Sequence, residues 1–457
     1  MTVTIAQQLA KHFCALDYRA MPEANRHAMK RLLLDYLGVA IAGSQSDSGH
    51  IACQFAAIQG GKPEATLIGA GGRVPAAQGA FANAISSHSI ELDDIDVLAL
   101  FHFSPPVFSA ALAAAERQSA DGRQLLAALA AGCEMMERAS RAANNSLRNR
   151  AFHTTPTCGV FGAAVAAGKL LKLAPPRLAA ALGLAGAQAS GLMEMYGPSM
   201  QKRFNPGPSA RNGVTAALLA HLGFTGADTI FEGERGFLRA FTDQSDAARL
   251  VEGLNQPYAL AIEFKPYSCA RPIHNAIDCA LAVRARDRVE PSAISAIEVA
   301  RHPDWAHYHQ NQSPQTHHEA QVSLPYSVAV AFKEGRALLK QYSERKLKDP
   351  VLRRLMELTR ISVDPSLPRG VSCRMTVTLG DGRTCVAQVD YPKGSIENPM
   401  SDAELRAKFD GLAEPVLGAQ RAAQIAELAA AIEDCGDVGK LMRLMGKPRP
   451  ARRTRTR

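Results

Sequence analysis

Ala179-Ala180-Ala181-Leu182-Gly183-Leu184-Ala185-Gly186-Ala187-Gln188-Ala189, preceded by Pro175-Pro176, carries small or apolar residues on almost every face of a helical wheel. Such a helix has no polar side to offer water. It belongs inside a bundle, with its neighbours packed close. Residues 110–115 repeat the texture. Around them, apolar residues recur at three- and four-residue steps over 26–42, 76–87, 105–117, 122–141, 158–171, 175–191 and 213–222. Turn signals at Gly60-Gly61, Gly71-Gly72, Pro175-Pro176 and Gly197-Pro198 separate them. The pattern predicts helix from Ile5 to about Leu260.

After Lys265 the texture changes. Residues 294–300 alternate as a strand does, and so do 374–379 and 384–389, joined around Asp381-Gly382. The last two read as a β-hairpin. Helical segments at 274–286, 323–333 and 351–359 lie between. Ser401-Asp402-Ala403-Glu404 starts a final helical stretch, 402–444, with a capping box. The expected fold is mostly α. Residues 1–265 form a large all-α domain, completed by the C-terminal helices of 396–446, and residues 266–395 form a smaller α+β lid domain. Residues 447–457 form a disordered basic tail.

Composition agrees with this reading. A chain of 457 residues exceeds one small core, so two domains are expected. Ala and Leu abound and Trp305 is the single tryptophan, which favours helix over sheet. No stretch of roughly 18 apolar residues predicts a membrane span. Residues 1–8 lack the basic-then-apolar order of a secretory signal. The nine cysteines are scattered with no C-x-x-C pair, which argues against structural zinc and suits a reducing cytoplasm. Six of the nine net positive charges sit in the tail, so the charge is no warrant for specific nucleic-acid binding. Phosphate-loop, dinucleotide and serine-elbow motifs are missing from the sequence, which removes support for nucleotide binding.

Five stretches can carry chemistry. His88-Ser89-Ile90-Glu91-Leu92-Asp93-Asp94-Ile95-Asp96, with His102, gathers four carboxylates and two histidines. A histidine tuned by a carboxylate, a metal site and a capped acidic loop all suit it. The spacing matches no closed ligand pattern, so no metal is expected. Phe152-His153-Thr154-Thr155-Pro156-Thr157 feeds an apolar helix and suits either anion binding or simple N-capping. Gln201-Lys202-Arg203-Phe204-Asn205-Pro206-Gly207 and Lys265-Pro266-Tyr267-Ser268-Cys269-Ala270-Arg271-Pro272-Ile273-His274 are cationic turns before helices. Ser323-Leu324-Pro325-Tyr326 opens a further helix. Cationic or hydroxylic turns at helix starts suit a small polyanionic acid.

These five segments, in this order, resemble the MmgE/PrpD family, which includes 2-methylcitrate dehydratase, cis-aconitate decarboxylase and iminodisuccinate epimerase. The resemblance extends to Leu33-Leu34-Asp35-Tyr36-Leu37-Gly38, Glu232-Gly233-Glu234-Arg235-Gly236-Phe237 and Asn398-Pro399-Met400-Ser401. It implies an active site in the cleft between an all-α domain and an α+β lid, a homodimer, and catalysis without cofactor or metal. It carries over Asp93, His102, His153, Lys202, Lys265, His274 and Tyr326 as site positions. The chain departs from the family at Ile95, where threonine is usual, and at Phe103 and Asn205, where proline and histidine are usual.

The implied chemistry is removal of a proton alpha to a carboxylate of a small polycarboxylate. The expected catalytic set is His102, His153, Lys202, Lys265 and Tyr326, and the expected substrate contacts are Asp93, Thr154, Arg271, His274 and Ser323. The cations would stabilise charge developing on the carboxylate. One histidine would act as base and the other as acid, with Asp93 orienting His102 and Tyr326 donating to a leaving hydroxyl. Lyase activity of the 2-methylcitrate dehydratase type ranks first, then decarboxylation, then epimerisation by an isomerase. A non-catalytic polycarboxylate-binding relative is the alternative outside enzymes.

Overall fold

In the computed structural model, which describes residues 3–97, 101–195 and 199–446, the helix Thr154–Leu170 runs through the middle of the larger part of the molecule. Every residue of it except Lys169 is buried. Ser104–Gln118, Gly122–Ala143 and Pro206–His221 pack against it. Small residues permit the close approach. A Cβ on Gly213 would stand 2.4 Å from Cβ of Ala163, and one on Gly162 would stand 2.6 Å from the carbonyl oxygen of Gly132. Backbones this near give dense packing with short side chains.

The remaining long helices follow the apolar periodicity: Glu23–Gly43, Ala76–His88 and Pro175–Gly186. Helix does not continue to Leu260. Residues 223–265 are mostly turns around the short helix Phe237–Phe241. Gly223, Gly226, Gly233 and Gly236 break the helix there, while Phe231 and Phe237 still anchor the segment on Phe161, with ring centroids 4.9 and 5.0 Å away. A two-stranded antiparallel ribbon, β1 (Ala65–Thr66) and β2 (Arg73–Val74), is a small addition to the helical part.

The final stretch is helical in three pieces, Asp402–Leu417, Ala419–Ala430 and Gly439–Leu444. Ser401 and Glu404 form the expected reciprocal cap, at 3.2 and 2.7 Å. The side chains of these helices join the same core as residues 6–264.

A second core spans residues 269–387. It is a four-stranded sheet of β3 (Ile294–Arg301), β4 (Thr359–Val363), β5 (Cys373–Leu379) and β6 (Thr384–Val389), in the order β4-β3-β5-β6. The β5–β6 hairpin appears as its alternation predicts, with Gly382 at φ 86° in the turn. Cys373, Met375, Val377 and Leu379 of β5 face inward, two residues apart, toward His274–Asp287 and Leu324–Glu334. Sequence reading missed β4. It continues directly from helix Pro350–Leu358 and pairs parallel to β3, and five residues of which only Thr359 is buried carry little periodic signal. The turn at Gly197-Pro198 and the basic tail 447–457 lie outside the described residues. Among the described residues no helix is long and apolar enough to cross a membrane.

Candidate active site

Helix Ala76–His88 delivers His88 to a loop that re-enters helix at Ser104–Gln118. Asp94 caps that second helix, accepting the N–H groups of Phe103 at 2.7 Å and Ser104 at 3.1 Å. The cap fixes His102 two residues before the helix. Its Nδ1 lies 2.5 Å from the carbonyl oxygen of Asp94 and 3.1 Å from Oδ2 of Asp93. The same Oδ2 lies 2.7 Å from Nδ1 of His88. With Nδ1 engaged by oxygen, Nε2 of His102 is the ring atom left for a bound molecule. Burial alone would raise the Asp93 carboxyl, but His102, His88 and Lys265 hold it well below the usual carboxylate range. Burial pushes His88 down to about 4 against the pull of Asp93, so this ring is neutral.

Glu91 stands among the cations. Its φ of 54° lies in the left-handed region, a strained backbone for a glutamate. One carboxylate oxygen accepts from Lys202 Nζ and Arg203 Nη1, and the other from Lys265 Nζ at 3.2 Å. Burial would raise the Glu91 carboxyl, yet Lys202, Lys265 and Arg203 hold it well below its ordinary value. Burial lowers the Lys202 amine to about 8, with Glu91 opposing and Arg203 and Lys265 assisting. Burial also opposes the charge on Lys265, but Glu91 and Asp93 reverse the balance and raise it. Arg203 reaches the lid, where its Nη2 donates to Gln321 Oε1 at 3.1 Å. Gln321 in turn donates to the carbonyl of Ile90 at 2.9 Å and that of Ser268 at 3.1 Å.

His153 precedes the central helix. Its ring Nδ1 accepts from Asn205 Nδ2 at 3.0 Å, so the ring proton sits on Nε2. Burial first, then His88, His102 and Lys202, lowers this histidine well below its usual value and keeps it neutral. Arg271 holds Glu263 Oε2 through Nε at 2.9 Å and Nη2 at 2.8 Å. Its Nη1 donates to His274 Nδ1 at 3.0 Å, and His274 Nε2 donates to the carbonyl of Cys269 at 3.2 Å.

A cleft of about 460 Å³ opens between the two cores, and Glu91, His102, His153, Lys202, Lys265 and Arg271 line it. Asp93 lies behind His102, and His274 behind Arg271; each is buried against a lining residue. Thr154 is in the first turn of the central helix with a buried Oγ1 that has no hydrogen-bond partner among the described residues. Tyr326 and Ser323 require correction. Ser323 caps Leu324–Glu334, accepting the N–H of Tyr326 at 3.1 Å and donating to the carbonyl of Asn311 at 2.5 Å. The Tyr326 hydroxyl donates to the carbonyl of Gln341 at 2.7 Å, and the ring packs on Tyr342. Both side chains are spent inside the lid core rather than at the cleft.

The stretch around Lys202 is not a turn either. Gln201–Phe204 and Pro206–His221 are helical, with Pro206 in the first turn, where its missing N–H costs nothing. Sequence reading singled out neither Glu91 nor the lid residues Trp305 and His309, which also line the cleft. Glu91 sat among four carboxylates, and no local signal says which of them meets the cations. Among the described residues one trio, His88, Asp93 and His102, brings metal-ligand atoms within 4.8 Å of one another. A single Asp93 oxygen lies within hydrogen-bond distance of both Nδ1 atoms, which joins the three side chains in one hydrogen-bonded chain.

Known proteins share this architecture of sequence. The MmgE/PrpD N-terminal domain matches residues 7–250, and the MmgE/PrpD C-terminal domain matches residues 267–434. The cis-aconitate decarboxylase-like protein oryM of Aspergillus oryzae is 29% identical over 448 residues, covering 91% of this chain and 92% of the relative. Human cis-aconitate decarboxylase is 28% identical over 437 residues, covering 92% and 90%. The cis-aconitate decarboxylase of Aspergillus terreus is 28% identical over 413 residues, 84% of each chain. Two matched domains cover most of the chain in the order in which the two cores are built, and the protein is a member of the MmgE/PrpD family.

Proposed function

We propose that the protein is a lyase that decarboxylates a small polycarboxylate of the cis-aconitate type, with proton transfer by His102. The observation that carries this is the meeting of Lys202, Lys265, His102 and His153 in one cleft. The names of the relatives favour decarboxylation over the dehydration that ranked first from sequence alone. The dehydratase remains the second reading, since proton transfer beside a carboxylate is common to both reactions.

In the proposed step the substrate carboxylates lie against Lys202 and Lys265. The C–C bond to the departing carboxylate breaks and CO2 leaves. Its electron pair forms a new C=C bond, and the pair of the old C=C takes a proton at the carbon two bonds away. Protonated His102 supplies that proton from Nε2, while Asp93 and the Asp94 carbonyl hold Nδ1–H and stabilise the imidazolium. His153, neutral with its proton on Nε2, donates a hydrogen bond to the charge that develops on the remaining carboxylates. Arg271, already paired with Glu263, is a third carboxylate contact. The resemblance also implies a homodimer and the scattered cysteines suit a reducing cytoplasm, which sedimentation and fractionation would test.

Incubation with cis-aconitate, citrate and 2-methylcitrate in D2O, followed by NMR, tests the reading. Loss of CO2 with one deuterium incorporated, abolished in both Lys202→Ala and His102→Ala, supports it. Water loss without CO2 favours the dehydratase. No turnover and no exchange with any of the three acids or with an alkyl-substituted aconitate overturns both.

A further inference from the structure

The same cleft has a second chemical character that a compact polycarboxylate leaves unused. Beside its charged groups it is lined by Ile95, Val97, Trp305, Val322 and Val371. Ile95 and Val97 come from the loop after Asp94, and the other three come from the lid. Ile95 is pinned by paired backbone hydrogen bonds with Glu263, each 2.9 Å. His309 accepts a place beside the wall, its ring parallel to Trp305 within 8° and its Nδ1 3.1 Å from the carbonyl of Val322. Burial lowers this histidine to about 4, so it adds no charge to the wall.

A cleft of about 460 Å³ falls in the range that encloses ligands of drug size, roughly 300–1,000 Å³. A citrate-sized acid is polar on all sides. Where its oxygens met these five apolar side chains, rather than the cations and Ser395 that also line the cleft, they would lose water without gaining partners. Hydrocarbon loses nothing there and releases water from the wall.

We infer that the substrate is a polycarboxylate bearing an apolar alkyl substituent longer than methyl, with the substituent lying on Ile95, Trp305 and Val322. This rests on the reading above only in placing the carboxylates on Lys202 and Lys265. Ile95 and Trp305 are then specificity-determining residues for chain length.

Calorimetric titration with succinate, butylsuccinate and hexylsuccinate reads the inference without turnover. Affinity is expected to rise about fourfold per added methylene until the wall is covered. Ile95→Thr and Trp305→Ala should each flatten that series, read as the ratio of hexylsuccinate to succinate affinity within each protein. Trp305 is half-buried at the cleft, so its truncation is expected to leave the fold intact. Equal affinity for all three acids overturns the inference, and so does a series unchanged in both variants. A steep series without decarboxylation of cis-aconitate or of an alkyl-substituted aconitate leaves the inference standing and sinks the proposed reaction. A flat series with turnover of cis-aconitate does the reverse.

Discussion

Nδ1 of His102 lies 3.1 Å from Oδ2 of Asp93, and Asp93 is completely buried behind the ring. The carboxylate sets which ring nitrogen carries its proton toward the protein and which is presented to the cleft. Asp93→Asn keeps the shape but removes the charge that stabilises the imidazolium. We expect kcat to fall by about 10²- to 10⁴-fold with little change in KM. Steady-state kinetics on the cognate acid checks this. A KM effect with kcat preserved would assign Asp93 to binding instead.

Lys202 carries a pH signature. Burial lowers its amine to about 8, so the charge is present below that pH and lost as pH rises through it. Carboxylate binding should weaken on the alkaline side. KM is expected to climb above about pH 8, and Lys202→Arg should remove that limb. The pH dependence of KM in the two proteins is the measurement.

Glu91 links three buried cations. Its removal leaves Lys202 and Arg203 without their carboxylate and Lys265 with Asp93 alone, 3.8 Å away. Glu91→Ala is expected to cost about 3–5 kcal/mol of stability, as breaking a buried ion pair does. The alkaline limb set by Lys202 should shift to lower pH, because the charge that opposed desolvation is gone. Urea denaturation and the KM profile read the two effects separately.

Close helix packing can be tested far from the chemistry. Gly213→Ala places a methyl 2.4 Å from the Ala163 methyl in the middle of the bundle. Overpacking of this kind is expected to cost about 1–3 kcal/mol. Gly411→Ala, in the helix Asp402–Leu417 with nothing within 4 Å of the new atom, should be neutral or stabilising by about 0.5–1 kcal/mol. Thermal melts of both variants make the comparison.

Much of the site was legible because its residues sit at helix starts, where turn chemistry and charge show in sequence. His153, Lys202 and Arg271 stood out on that ground, His102 by its carboxylate neighbours and Lys265 in a cationic turn before a helix, and the structure brings all five to one cleft. The same rule misled at Ser323 and Tyr326. A helix start signals capping as readily as ligand binding, and here the hydroxyls serve the cap and the lid interior. Helices with clear apolar periodicity were readable, while the five-residue strand β4 was not, since its pairing partner lies some sixty residues earlier at Ile297–Arg301.

Sequence by itself determined the helical bundle, the hairpin of the lid and the kinds of side chain available for chemistry, because periodicity and turn composition are local properties. Tertiary structure decided which of four neighbouring carboxylates meets the cations. Asp94 caps a helix, Asp93 backs His102, and Glu91, held at positive φ, takes Lys202, Arg203 and Lys265. It also decided that Asn205 holds the His153 proton on Nε2, and that Ile95, Trp305 and Val322 line the same cleft. Each of these is a meeting of residues distant in the chain. Burial then multiplies the effect of every charge in the meeting, and neither distance nor burial is written in local sequence.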